Sequence, residues 1–130
     1  ALEWEYEFHP ERLIQFYKDS IATGQTISTK GLAAMKAKAD SAREKYIELF
    51  EKIDIILTVS SGDEAPKGLG FTGDPLFNRV WTLLGWPCVN IPFGKGGNEL
   101  PLGIQVIGSN GSDSKTLAAA AWLESVLLQK

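Results

Sequence analysis

The sequence predicts a fold of the α/β class, and three observations indicate it. Apolar residues spaced three and four apart run from residue 32 to residue 53, as they do along one face of a helix. The run IDIILTV (53–59) is short, β-branched and almost wholly apolar, which is typical of a strand buried on both faces. Two more short apolar runs, CVNIPFG (88–94) and LGIQVIG (102–108), lie between turn-forming residues. A strand buried on both faces needs helices above and below it.

Two helices are predicted before the first strand. The first begins at Pro10, whose fixed φ suits a helix start, and TGQTIS interrupts it. Ser28 or Thr29 can cap the second. Its apolar rhythm fits either a coiled coil or a helix lying on a sheet. Two alanines in the seam and a length of only about three heptads favour the helix on a sheet.

The second half of the chain alternates strands and helices. After the loop SSGDEAPKGLGFTG, Asp74 is the predicted N-cap of a helix with Pro75 at its first position, and Gly85 ends that helix. A short, glycine-containing connection joins the last two strands, so we expect them to pair antiparallel. Ser112 or Asp113 caps a final alanine-rich helix. Three strands are too few to cover their own edges, and we expect the missing ones in sequence outside this chain.

Composition limits the function classes. The 130 residues suffice for one domain, and 44% hydrophobic with 22% charged residues is typical of a soluble globular protein. The net charge of −3 is spread evenly, which argues against nucleic acid as a partner, and no apolar run is long enough to span a membrane. The only cysteine, Cys88, has no disulfide partner, so a cytoplasmic location is expected.

The first residues, ALEWEYEFHP, contain neither an initiator Met nor a secretory leader. We therefore expect the chain to be a piece of something longer. The interpretation is of a single fragment over 1–130, with a helical part over 1–52 and an α/β part over 53–130.

A nucleotide site is suggested by Gly68, Gly70 and Gly73, which have the G-x-G-x-x-G spacing. That motif requires the first glycine directly after a strand, and Gly68 is too far from Val59. Asp74 would place a negative charge where a pyrophosphate has to bind. We therefore disfavour this interpretation, which a rise in melting temperature with a dinucleotide would revive, and expect no cofactor.

A serine nucleophile is suggested by Ser60 and Ser61, which lie next to a glycine. The only histidine, His9, precedes a proline in a predicted loop, so no base is evident. Hydroxyls at a strand end commonly satisfy nearby backbone groups, and we favour that role. No residues have metal-ligand spacing, and the residues alone give no complete catalytic set.

One long stretch carries a family resemblance. The sequence TGDPLFNRVWTLLGWPCVNIPFGKGGNELPLGIQVIG, followed by an alanine-rich helix with WLES, resembles the C-terminal part of amidase-signature hydrolases. The matching residues are Gly73, Asp74, Pro75, Asn78, Arg79, Trp81, Thr82, Pro87, Pro92, Pro101, Leu102, Gly103, Gln105 and Gly108. The resemblance covers about residues 28–130, and more loosely the start of the chain. Val59-Ser60 departs from it, because the family more often has a proline there.

The resemblance implies hydrolysis of carbon–nitrogen bonds in amides. The family uses a nucleophilic serine, a bridging serine in a cis peptide and a lysine, all in segments that precede everything in this chain. We therefore expect no catalytic residue among residues 1–130 and no amidase activity from this chain alone. The three strands would be part of a large mixed sheet, here covered by about four helices.

The helix after Asp74 is similar to one that walls the family's substrate channel. The resemblance makes Phe77, Asn78 and Trp81 candidate substrate-binding residues. In the alternative, Phe77 and Trp81 belong to the core, and Asn78 and Arg79 bond the helix to the VNIP strand. Gly103 and Gly108 are expected to allow close backbone approach.

A second function class stays open beside the amidase. The chain can be a non-catalytic association module, which would dimerise or swap through unpaired strand edges and exposed aromatic side chains. The expected partners are a small-molecule amide in the longer parent protein and a second copy of the chain. Neither nucleic acid nor a membrane is an expected partner.

Overall fold

The computed structural model describes residues 2–128, whose contacts form two compact units, the first ending at Lys38 and the second beginning at Ala39. The first unit contains α1 (Glu3–Phe8), a 3₁₀ turn (Pro10–Arg12), α2 (Gln15–Gln25) and the start of α3 (Thr29–Ile47). The second contains the rest of α3, a 3₁₀ turn (Glu48–Glu51), β1 (Ile56–Val59), α4 (Leu76–Leu84), β2 (Cys88–Lys95), β3 (Pro101–Ile107) and α5 (Asp113–Leu128). Within residues 2–128, five α-helices and three strands confirm the α/β class, with one helix more than the four or so expected. None of the helices in residues 2–128 has the length and apolar character needed to cross a bilayer.

The first unit departs from the sequence-based expectations in two places. The helix α1 was not predicted, and Pro10 begins a 3₁₀ turn, so the α-helix itself begins only at Gln15. The cap of the next helix is confirmed, because Ser28 Oγ accepts a hydrogen bond from the Gly31 N–H at 3.1 Å.

The sheet has the order β1-β3-β2, and both pairings are antiparallel. This confirms the antiparallel pairing predicted for the last two strands. A bulge between Pro92 and Gly94 shifts the register near the turn that joins them. The central strand of this order is β3, the last strand along the described residues.

The expectation that the first strand is buried on both faces was wrong. In β1 half-buried and exposed residues alternate, and Leu57 is 50% and Val59 44% exposed. The physical reason is position, since β1 lies at an edge of the sheet and β3 lies at its centre. In β3 the neighbours Val106 and Ile107 are both fully buried, and successive side chains of a strand point to opposite faces.

Two apolar clusters lie on the two faces of the sheet. On one face, Ile107 packs with Leu84 of α4 and with Trp86. On the other, Val106 packs with Ile91 of β2 and with Ala120 of α5. Because each cluster includes a fully buried residue of β3, this strand joins both halves of the core.

The C-terminal part of the long helix supports the first cluster. Ala39 is buried, and both Ala42 and Phe50 pack against the cluster, which agrees with a helix lying on a sheet. Tyr46 and Ile53, which belong to the same apolar rhythm, are exposed. The rhythm therefore identified the helix correctly but overstated how much of its face is covered.

Both ends of α4 are fixed by local chemistry. At the start, Asp74 Oδ1 accepts from the Leu76 N–H at 2.9 Å. The N-cap position is Pro75 and not Asp74 as predicted, because the helix begins one residue later. At the end, Gly85 adopts the left-handed conformation with φ of 67°. The N–H of Trp86 then donates to the Trp81 carbonyl at 3.0 Å, completing a Schellman motif. The rings of Trp81 and Trp86 stack with centroids 5.8 Å apart.

Arg43 of α3 binds the same helix end. Its Nε donates to the Leu84 carbonyl at 3.0 Å, and its guanidinium also contacts the Leu83 carbonyl and the Asp40 carboxylate. A cation at a helix C-terminus complements the partial negative charge of the free carbonyls. Arg43 therefore fixes the C-terminal end of α4.

Gly103 and Gly108 lie where no side chain fits. A Cβ at Gly108 would overlap Thr116 Oγ1 of α5, and one at Gly103 would overlap the Asn90 amide. The close approach expected at both positions is thus present. At Gly108 it lets α5 pack directly on the end of β3.

We predict that Gly108→Ala lowers the free energy of unfolding by about 1–3 kcal/mol, the usual cost of overpacking a tight site. Thr116, which the added methyl would displace, is itself almost fully buried and has little freedom to move. Urea denaturation measures the change. Gly94→Ala is the matched control, since a Cβ there meets open space. Equal effects of the two substitutions would contradict the packing at Gly108.

Candidate functional site

A groove of about 1040 Å³ lies within the second unit. One side is the loop after β1 and the first turn of α4, and the other is formed by residues of β2, β3 and the turn between them. The lining residues are Ser60–Lys67, Phe71–Asp74, Leu76, Phe77, Asn90, Asn98, Leu100, Pro101 and Gly103. The lining combines apolar rings with polar groups, as small-molecule sites usually do.

A row of polar residues crosses the sheet beside the groove. Thr58 of β1 and Asn90 of β2 both pair directly with Gln105 of β3, so the three side chains share one face. Gln105 is 2% exposed. A buried amide such as that of Gln105 requires internal hydrogen-bond partners.

The amide of Gln105 supplies the most important of these bonds. Its Nε2 donates to the Val59 carbonyl at 2.9 Å and to the Phe77 carbonyl at 2.8 Å. One buried side chain thus joins the end of β1, the centre of the sheet and the first turn of α4. These are the elements that meet at the groove.

The backbone N–H, the carbonyl and the hydroxyl of Ser60 are all hydrogen-bonded. Its N–H donates to the Gly103 carbonyl at 3.2 Å, and its carbonyl accepts from Asn78 Nδ2 at 3.1 Å. Its hydroxyl donates to the Asn90 side-chain oxygen. The neighbouring hydroxyl of Ser61 donates to the Asp63 carbonyl at 2.7 Å. Both hydroxyls donate to amide oxygens, and neither is bonded to a base among the described residues.

The three candidate substrate-binding residues have different environments. Phe77 lines the groove, and a Cβ at Gly62 would touch its ring at 3.6 Å. Asn78 is outside the lining but anchors Ser60, a residue of the groove, and does not bond the VNIP strand. Trp81 packs in the core beside Trp86, and its buried Nε1 has no hydrogen-bond partner among the described residues.

Charged groups concentrate on the loop side of the groove. Asp63, Glu64 and Asp74 contribute carboxylates and Lys67 the only ammonium of the lining. Asp74 Oδ1 lies 3.7 Å from Arg79 Nη2, which is an exposed and therefore weak pair. Glu64 is the exception, because it is buried and bonded to Asn98. Sequence reasoning missed this pair, since no spacing relates residues 34 positions apart.

Two titratable groups outside the groove have altered acidity. Partial burial raises the pKa of the Cys88 thiol, whose Sγ lies 3.5 Å from the Trp86 carbonyl. Near neutral pH that thiol is therefore mostly protonated and a poor nucleophile. A hydrogen bond and the charge of Lys115, whose Nζ is 2.8 Å from Asp54 Oδ1, lower the pKa of Asp54.

Two features of the described residues bear on metal and nucleotide binding. Residues 2–128 contain no group of three or more His, Cys, Asp and Glu side chains able to hold a metal ion. Gly68 and Gly73 have positive φ within a loop, and the Asp74 carboxylate occupies the start of the following helix. That carboxylate is unfavourable for a phosphate at this position.

The comparisons with known proteins decide the family. The profile of the family described as Amidase matches residues 5–117, most of the chain. The chain belongs to the amidase family. This confirms the resemblance that the stretch from Gly73 to Gly108 carries.

Individual relatives resemble this amidase-family chain in sequence and in structure. It is 24% identical over 119 residues to a protein named putative amidase AmiA2 from Mycobacterium tuberculosis strain H37Rv, covering 82% of this chain and 25% of that protein. It is 27% identical over 121 residues to a fatty acid amide hydrolase of Medicago truncatula, covering 84% of this chain and 20% of that protein. A crystal structure titled amidase has a TM-score of 0.85 and 26% identity, covering 97% of this chain and 32% of that one. The chain thus spans about a quarter of the length of the curated relatives it matches, or less.

We predict that Gln105→Leu destabilises the amidase-family chain by about 2–4 kcal/mol, because it leaves two carbonyls without their donor. Urea unfolding followed by tryptophan fluorescence measures the change. Gln25→Leu, at an exposed position at the end of α2, is the control and is expected within about 0.5 kcal/mol of the parent. A loss no larger than that of the control would contradict the role assigned to Gln105.

Proposed function

We propose that this chain is a segment of an enzyme that hydrolyses the carbon–nitrogen bonds of amides. In that enzyme it supplies part of the sheet, its helical cover and one wall of the substrate pocket. The observation that carries the proposal is the family match over residues 5–117. The groove in the second unit supports it, because a concave surface with rings and amide groups suits a small organic amide.

The proposal places the catalytic residues elsewhere. Nucleophilic hydrolysis of an amide needs a serine whose proton a base removes, and the hydroxyls of Ser60 and Ser61 are bonded to amide oxygens instead. The role left for this chain is to orient the substrate. Phe77 and the polar groups around Asn90 would contact the part of the amide that lies away from the reacting carbonyl.

The test compares two materials. One is the natural polypeptide that carries this sequence, whatever its length, and the other is the 130-residue chain alone. Release of ammonia or amine is measured with a panel of aliphatic and aromatic amides. We expect hydrolysis by the natural polypeptide and none by the 130 residues. Hydrolysis by the 130 residues that Ser60→Ala or Ser61→Ala abolishes would contradict the proposal.

We predict that Phe77→Ala in the natural polypeptide raises KM for apolar amides about tenfold, as expected for the loss of an apolar pocket contact. The turnover number is expected to change much less, because Phe77 would contact substrate equally before and during the reaction. Val80→Ala, on the same helix but outside the groove lining, is the control. If Phe77→Ala and Val80→Ala have the same KM, the groove is not the substrate wall.

A second proposal concerns association. The outer edges of β1 and β2 have no strand partner within residues 2–128, and Leu57 and Val59 are exposed on β1. We propose that the 130-residue chain on its own forms dimers through these surfaces. We also propose that the protein is cytoplasmic, because its single cysteine cannot form a disulfide within the chain. Nucleic acid and membranes are not partners in this proposal. Light scattering after size-exclusion chromatography tests the dimer, and a monomer at all concentrations would contradict it.

A further inference from the structure

Glu64 differs from its surroundings. It is 9% exposed, whereas every other residue from Ser61 to Gly70 is exposed to solvent. Burying a carboxylate costs free energy unless hydrogen bonds or a counter-charge compensate it. A single buried acid in an exposed loop is therefore held there by specific partners.

All of the described hydrogen bonds to this carboxylate come from Asn98, in the turn between β2 and β3. The Asn98 backbone N–H donates to Oε1 at 2.9 Å and to Oε2 at 3.2 Å, and its Nδ2 donates to Oε2 at 2.8 Å. Hydrogen bonds to charged acceptors are about twice as strong as neutral ones. Lys95, the cation of this hairpin, lies 3.1 Å from Glu99 and is paired with it.

The turn is also shaped to receive the acid. A Cβ at Gly96 would overlap the Glu64 carboxylate and its Cγ, so the side chain packs directly on the glycine backbone. A Cβ at Gly97, the next residue, would meet open space. On the other side, the Glu64 N–H donates to Asp63 Oδ1 at 2.8 Å, which fixes the backbone at the point where the carboxylate leaves the loop.

We propose that Glu64 is a positioning residue for the substrate pocket. Its carboxylate fastens the loop of residues 60–67 to the β2–β3 turn, and residues on both sides of this contact line the groove. The contact therefore sets the width of the groove at its loop side. It also anchors the start of the segment that leads through Gly68 to Phe71, an exposed ring of the same lining. The inference rests on the proposed function, because a fixed wall matters only if the groove holds substrate.

The experiment uses the natural polypeptide and two ways of breaking the contact. Glu64→Ala removes the acceptor, and Gly96→Ala pushes it away from the turn. The matched controls are Glu44→Ala, an exposed acid of α3, and Gly97→Ala, the open neighbour. Hydrogen exchange is measured for peptides covering residues 60–73 and 96–100, and KM and kcat are measured for a hydrolysed amide.

Both contact-breaking variants are expected to accelerate exchange in these peptides about tenfold, as local opening becomes easier. Both are expected to raise KM about fivefold with kcat within about twofold, since uniform binding is lost and the reacting groups lie elsewhere. The controls should match the parent. Adding Asn98→Ala to Glu64→Ala should cause no further change, because the two residues act as one unit.

Two results would overturn the inference. If Glu64→Ala and Gly96→Ala exchange like their controls, the contact does not hold the loop. If exchange accelerates but KM does not move, the contact is structural only and Glu64 positions nothing for substrate. Absence of amide hydrolysis in the parent would overturn the proposed function instead, and with it the positioning role, while exchange still reports on the contact itself.

Discussion

The side-chain amide of Gln105 carries the connection on which the arrangement of the second unit depends. A polar group with 2% exposure is tolerable only when it is bonded, and here its two acceptors, the carbonyls of Val59 and Phe77, belong to different elements. The sheet, the strand end and the helix start are therefore fixed relative to one another by one residue. Since Ser60 and Phe77 extend from these points, the inner surface of the groove follows from that constraint.

The outer rim of the groove depends on a different kind of contact. There the chain is exposed, and little apolar surface is available to order it. A carboxylate bonded to Asn98 replaces that missing packing and ties the loop to a turn 34 residues away. The groove thus combines an inner part fixed by burial with a rim fixed by charge-assisted hydrogen bonds.

Local chemistry was predictable from the sequence, and long-range partnership was not. Asp74 and Gly85 bound a helix through backbone rules that operate within a few residues, so both were identified in advance. The burial of β1 was misjudged because composition cannot tell a central strand from an edge strand. The Glu64–Asn98 contact had no local signal. Asn90 did carry a local signal, because it is a polar residue inside an apolar strand. Its side-chain oxygen accepts a hydrogen bond from the Ser60 hydroxyl.

We propose that this amidase-family chain forms part of a substrate wall and that the nucleophile belongs to other residues. The most direct measurement is to label the natural polypeptide with a serine-directed fluorophosphonate and to locate the modified residue by mass spectrometry of its peptides. Such reagents react with a serine that a base has activated. We expect the label to lie outside residues 1–130 and Ser60 and Ser61 to stay unmodified. Labelling of either serine would contradict it.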